Sequence, residues 1–168
     1  MEQVVGEGTR PTRDSVRESI FNIIGLRVRG ANVLDPFAGT GAYGAECLSR
    51  GARAVVLNDI DISAVSTIEK NLNFAGEGFE IFNLDWKELL KKLSTEIADG
   101  VREPFDLVLL DPPYDTDFGV RAIEYLVNNK MLNPNAQIIF ESDREVDLSK
   151  YDVRTKKYGR AFVYIIIM

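Results

Sequence analysis

The chain has 168 residues, 45% of them hydrophobic, enough for one compact domain with a real core. Its single cysteine, Cys47, excludes an internal disulfide and fits a reducing compartment, and the absence of histidine excludes every triad, metal site or general base built on imidazole. The net charge of −6 argues against bulk electrostatic attraction to nucleic acid.

That charge is unevenly spread. Residues 1–30 carry five basic and four acidic residues, residues 31–147 ten and 21, and residues 148–168 five and one. An acidic body with basic ends is compatible with RNA without showing RNA binding. The N-terminus is polar and acidic, with no secretion signal, and the longest apolar run, "FVYIIIM" at 162–168, is too short to span a bilayer. A soluble cytoplasmic protein without membrane contact is expected, and no metal site is expected.

In chain order, the spacing predicts a helix from Thr12 to Ile24, with Val16, Ile20, Ile23 and Ile24 on one face and Gly25 as its stop. Short apolar runs follow: "NVLD" at 32–35, "AVVLND" at 54–59, "FEIFNLD" at 79–85, "FDLVLLD" at 105–111 and "AQIIFE" at 136–141. Between them Trp86, Leu89, Leu90, Leu93 and Ile97 take helical spacing, as do Phe118, Ala122, Leu126 and Val127. Strand alternating with helix predicts an α/β fold, a doubly wound, mostly parallel sheet in one domain spanning 1–168. The tail, "DVRTKKYG" then "AFVYIIIM", reads as two successive strands, an antiparallel hairpin closing one edge.

The first strand runs into Gly39-Thr-Gly41-Ala-Tyr-Gly44, a G-x-G-x-x-G turn that opens a helix. Asp35, Asp59, Asp85 and Asp111 each close an apolar run, 24, 26 and 26 residues apart, so a parallel sheet lines them along its carboxyl rim. A dinucleotide would bring an anionic pyrophosphate to that rim. S-adenosyl-L-methionine brings a sulfonium, an ammonium and ribose hydroxyls instead, and suits it better. Asp35 is placed to steer the methionine end while the Gly39 and Gly41 amides approach its carboxylate. Asp59, 20 residues after Gly39, is a ribose acceptor or a helix cap. Asp85 begins "DWKE", a capping-box pattern with Glu88 answering, and is a cap alone or a cap that also accepts from the adenine amine. Trp86 is core or a wall beside the adenine; Phe37, two residues after Asp35, and Ile60, next to Asp59, join the cofactor set.

"DPPY", Asp111 to Tyr114, follows the most apolar strand. Two prolines fix an extended backbone, so the Pro112 carbonyl and the Asp111 carboxylate can both accept from one –NH2 group, with Tyr114 offering a ring face to a base. The plainer alternative is a proline-terminated strand with an aromatic plug.

"DPFAGTG" followed by "DPPY" resembles the class I S-adenosylmethionine-dependent methyltransferases that modify exocyclic amines of bases. "RPTRDSVRESIFNII" at 10–24, "FAGTGAYGAECLSRGA" and the closing "YG" plus strand resemble the RsmD-like guanine-N2 methyltransferases of bacterial small-subunit (16S) ribosomal RNA. The resemblance runs from Arg10 to the end, with residues 10–25 as a helical segment before the core sheet. It implies a Rossmann-like seven-stranded sheet with an antiparallel final strand and methyl transfer to a guanine N2 amine, yielding S-adenosyl-L-homocysteine. It also implies cofactor contacts at Asp35, Gly39, Gly41, Asp59 and Asp85, with Asp111 to Tyr114 at the base. Arg10, Thr12, Arg13 and Arg17, with Lys156, Lys157 and Arg160, then lie near ribosomal RNA, as part of an assembling small subunit. Adenine-N6 DNA methylation, and methylation of a protein or small-molecule amine, are the alternative readings.

Overall fold

Val16, Ile20, Phe21 and Ile24 recur at helical spacing, and the first helix, α1 (Arg13–Ile24), buries all four. The computed structural model describes residues 13–168. Gly25, at φ +56°, ends α1 as expected, but the chain then continues as a 3-10 turn through Val28 and buries that valine. The remaining elements are β1 (Asn32–Asp35), α2 (Ala42–Ser49), β2 (Ala54–Asn58), α3 (Ile62–Asn71), β3 (Phe79–Phe82), α4 (Trp86–Ala98), β4 (Phe105–Leu110), α5 (Phe118–Asn128), β5 (Leu132–Ser142), β6 (Asp152–Tyr158) and β7 (Ala161–Ile167).

The sheet order is β3-β2-β1-β4-β5-β7-β6, parallel through β5, with β7 antiparallel to both of its neighbours. The final hairpin therefore closes the edge with its second strand inward and its first outermost. Chain order reverses between β1 and β4, so a crevice opens at their carboxyl ends.

Alternation along the strands separates two cores. Val33, Val55, Leu57, Leu107, Leu109 and Ile139 pack under α1, α2 and α3. Leu34, Val56, Val108, Leu110, Ile138 and Phe140 pack under α4 and α5. Because both faces are covered, β1 is buried along its whole length, as its unbroken apolar run requires. Among the described residues no helix is long and apolar enough to cross a membrane.

Two runs depart from their expected lengths. In "FEIFNLD" pairing stops at Phe82, because the Asn58 side chain takes over from the ladder and binds both the N–H and the carbonyl of Leu84. β5 begins at Leu132, four residues before "AQIIFE". Phe105 pairs with Leu132 but Leu107 with Gln137, and this bulge absorbs Pro134 and the left-handed Asn135 (φ +64°).

Helix approach depends on two glycines. A Cβ on Gly44 would lie 2.4 Å from Leu57 Cδ2, and one on Gly119 would lie 2.2 Å from the Phe140 ring. Phe140 is buried and stacked on Tyr164, so its ring has nowhere to move. Gly119→Ala is expected to destabilise the protein by about 1–3 kcal/mol, lowering the midpoint of chemical unfolding; an unshifted midpoint would show that α5 can slide outward.

Candidate active site

The strand order sets the four aspartates along the rim as Asp85, Asp59, Asp35 and Asp111. Asp35 is the last residue of β1, Asp59 and Asp111 stand one residue past β2 and β4, and Asp85 stands three past β3. The rim loops are tied to one another. The Gly39 N–H donates to Asp59 Oδ2 at 2.9 Å, and the Asp61 N–H donates to Asp59 Oδ1 at 2.9 Å. The Gly41 N–H donates to the Ala38 carbonyl at 2.8 Å, so both amides named in the glycine loop are engaged within the protein. Gly39 (φ +56°) and Gly41 (φ +78°) hold the left-handed conformations of this turn.

Asp61, not Asp59, caps α3, accepting from the Ser63 N–H. Asp59 is thereby left to the loop, with the exposed side chain of Ile60 beside it. Asp85 does cap α4, through the Lys87 N–H at 2.9 Å, but among the described residues the answering bond from Glu88 is not formed. The "DWKE" pattern is thus a simple cap. Trp86 is only 6% exposed and packs in the α4–α5 core with Phe37 and Phe118, ring centroids 6.2 and 5.6 Å away.

Three asparagines that sequence reasoning passed over hold these loops. Asn58 donates to the Pro36 and Leu84 carbonyls, Asn83 to those of Asp59 and Ile60, and Asn71 to that of Thr40. A polar residue ending a buried apolar run was the available signal for Asn58.

Strand alternation turns Asp35, Asp111 and Glu141 toward the α1–α2 face, since Val33, Leu109 and Ile139 lie in that core. These carboxylates line a narrow cleft with Tyr43, Leu109, Leu110 and Ile139. The Tyr43 hydroxyl donates to Glu141 Oε1. Asp35 is 2% exposed, and its Oδ2 has no hydrogen-bond partner among the described residues. Burial, and then the charge of Asp111, hold its carboxyl well above the usual range, against the Phe37 N–H bond that lowers it. Burial pushes Glu141 up to about 7, with the charge of Asp111 adding and the Tyr43 bond and Arg13 opposing. Asp111 is open to solvent on its outer side, yet the cleft walls strip enough water from it to raise its pKa, and Arg13 pulls the other way. Burial and the Glu141 charge raise the Tyr43 hydroxyl, which stays protonated and donating.

The "DPPY" loop is braced from outside. Thr116 Oγ1 donates to the Pro113 carbonyl at 2.8 Å, Arg144 donates to the Thr116 carbonyl at 2.9 Å, and Asp115 turns the chain at φ +58°. Among the described residues no hydrogen bond reaches the Pro112 carbonyl. Tyr114 is 65% exposed and presents its ring to solvent.

The basic residues divide. Arg13 faces Asp111 and Glu141 electrostatically, whereas Arg17 is paired with Asp14 at 3.0 Å. Lys156 and Lys157 lie on β6 in line with Glu141 and Ser142, through Val163 and Phe162, so they share the carboxyl rim, and Arg160 follows in the turn. Arg10 and Thr12 lie outside the described residues. Sequence reasoning missed Tyr43 and Glu141. "AQIIFE" ends in an acid as the other runs do, and that was the signal.

Residues 1–167 match the family model described as Conserved hypothetical protein 95. "Ribosomal RNA small subunit methyltransferase D" of Haemophilus influenzae is 34% identical over 145 residues, 84% of this chain and 72% of that protein. A Bacillus subtilis protein called "Putative rRNA methyltransferase YlbH" is 37% identical over 152 residues, 88% of this chain and 79% of its own. A solved structure of a conserved hypothetical protein from Streptococcus pyogenes superposes with a TM-score of 0.77 at 31% identity, covering 90% of this chain and 94% of that one. The match over nearly the whole chain, on this sheet and this rim, places the protein in the Conserved hypothetical protein 95 family, among the RsmD-like methyltransferases of class I fold.

Proposed function

We propose that the protein transfers a methyl group from S-adenosyl-L-methionine to the exocyclic N2 amine of a guanine in small-subunit ribosomal RNA. The observation that carries this reading is a buried carboxylate oxygen without a partner, Asp35 Oδ2, in the same cleft as Asp111 at the head of "DPPY". A carboxylate held there at a cost in desolvation suits a cationic ligand, and the donor's sulfonium and ammonium are cations. Asp59 and Asp85 offer acceptors along the same rim, and exposed Ile60 offers an apolar surface beside them. The residues therefore fit this cofactor: Asp35 would hold its methionine end, Asp59 its ribose, and Asp85, Ile60, Phe37 and Trp86 would line its adenine. Because Asp59 already binds the Gly39 N–H, the glycine loop sets the position of the ribose acceptor rather than offering that amide to the ligand.

When bound, S-adenosylmethionine supplies an electrophilic methyl group. The protein's part is to present the amine. Its lone pair is delocalised into the purine ring, so it reacts only when oriented. Asp111 and the Pro112 carbonyl accept its two N–H groups, and the bracing of the loop by Thr116 and Arg144 keeps those acceptors fixed. The donor would give up its methyl group and leave as S-adenosyl-L-homocysteine; the amine that receives the methyl would become cationic, and Asp111 or water would take its proton. Tyr114 supplies a ring for the flipped base to stack on.

Lys156, Lys157 and Arg160 face phosphates, and Arg13 stands beside Asp111 and Glu141 at the base; none of the four is in an ion pair with a described residue, unlike Arg17, Arg50, Arg53, Arg102 and Arg121. So few basic residues on a chain of net charge −6 favour a substrate already organised by ribosomal proteins in an assembling, cytoplasmic subunit. The relatives named for small-subunit ribosomal RNA support the same substrate. Nucleoside mass spectrometry of ribosomal RNA from cells with and without the gene is expected to show one N2-methylguanosine lost; an unchanged level removes the assignment.

A further inference from the structure

Asp111 is not the only carboxylate at the acceptor end of the cleft. Glu141 follows the Leu110–Phe140 pair on the neighbouring parallel strand, one strand spacing, about 4.8 Å, from Asp111. It points to the same face of the sheet. Tyr43, in the first turn of α2, fixes one oxygen of Glu141, and among the described residues no hydrogen bond reaches the other. Two neighbouring carboxylates repel each other, and Arg13 is the cation that offsets both. β5 is half-buried at this position, and Tyr43 engages one oxygen of Glu141 only, so the second oxygen is left over from the fold's own hydrogen bonding.

The bases differ in what lies beside the reactive amine. Guanine carries an N1–H next to its N2 amine, so its edge offers donors side by side. Adenine carries a bare N1 lone pair next to N6, which would face a carboxylate unfavourably. We propose that Glu141, held by Tyr43, accepts the N1–H of the flipped base while Asp111 and Pro112 hold the N2 amine, so that this acid selects guanine over adenine. The inference rests on the guanine-N2 reading and adds to it the residue that enforces the choice.

The test places guanine or 2-aminopurine at the position located by mass spectrometry, in ligated small-subunit RNA reconstituted with ribosomal proteins. 2-Aminopurine keeps the 2-amino group but has a bare N1. At pH 8.5, where Glu141 is ionised, the wild-type protein is expected to prefer guanine by at least about tenfold in kcat/KM. Glu141→Gln, whose carboxamide can donate to a bare N1, is expected to bring the two substrates within about threefold of each other, with cofactor affinity measured alongside and unchanged. The same ratio in both proteins overturns the proposal. Should Glu141→Gln fail to fold, Tyr43→Phe, which releases Glu141 without removing it, is expected to lower the ratio by about threefold; an unchanged ratio there overturns the proposal equally. Wild-type transfer to neither RNA fails the guanine-N2 reading itself, a different outcome from loss of discrimination.

Discussion

Asp111→Ala is expected to lower methyl transfer by about a hundred- to a thousandfold while S-adenosylmethionine still binds within about threefold of wild type. The loss falls on one step because Asp111 follows β4 on the acceptor side of the crevice, whereas Asp35, Asp59 and Asp85 lie across the switch point at the ends of β1, β2 and β3. Asp111→Asn divides the effect further. It keeps an acceptor oxygen for the amine but neither the charge that draws off its proton nor the repulsion felt by Asp35 and Glu141. Transfer of a labelled methyl group, read beside calorimetric cofactor binding, separates these contributions. Undiminished transfer by the alanine variant takes Asp111 out of the reaction.

Asp35→Asn is expected to act in opposite directions on stability and binding. In the ligand-free protein the Asp35 carboxylate is buried, has an unpartnered oxygen and is close to Asp111, so its folded pKa lies well above the ordinary 3.8. The folded state then binds more protons than the unfolded one above pH 3.8, and stability declines as pH rises through the folded pKa. Glu141, pushed from 4.5 to about 7, adds a decline in the same direction between those values. Asparagine removes the Asp35 part. The midpoint of thermal unfolding at pH 7.5 is expected to rise by about 3–8 °C, for about 1–3 kcal/mol of relieved desolvation. Its dependence on pH is expected to flatten. Cofactor binding is expected to weaken about ten- to a hundredfold, since a charge-assisted contact to the methionine end is lost. Scanning calorimetry between pH 4 and 8 with and without ligand reads both. A variant that gains stability and binds as well as wild type would move the cation site away from Asp35.

The rim was legible in the sequence because its signals are local. A strand ends where apolar alternation stops, and aspartates at 24- to 26-residue intervals mark successive carboxyl ends of one parallel sheet. What could not be read depends on which strands become neighbours. Asn58 bridges the loops after β1 and β3 because β2 lies between them, and no spacing within its own segment announces that. The Gly39 amide meets the Asp59 carboxylate for the same reason. Tyr43 occupies a free position of the glycine fingerprint and acquires its role only when β5 brings Glu141 to it. Arg13 and Arg17, four residues apart on α1, look equivalent as letters; the neighbouring Asp14 engages Arg17, while Arg13 faces the two acids.

β6 has a consequence of another kind. Among the described residues it is the outermost strand, seven residues long, with one row of backbone donors and acceptors that no described neighbour matches, and Arg154, Lys156 and Lys157 stand exposed along it. Such an edge invites another chain to continue the sheet, and charge is what keeps copies apart. The lysines assigned to phosphate therefore also act as guards against self-association. The two duties part under substitution: glutamate at these positions repels phosphate and still guards the edge, whereas alanine abandons both.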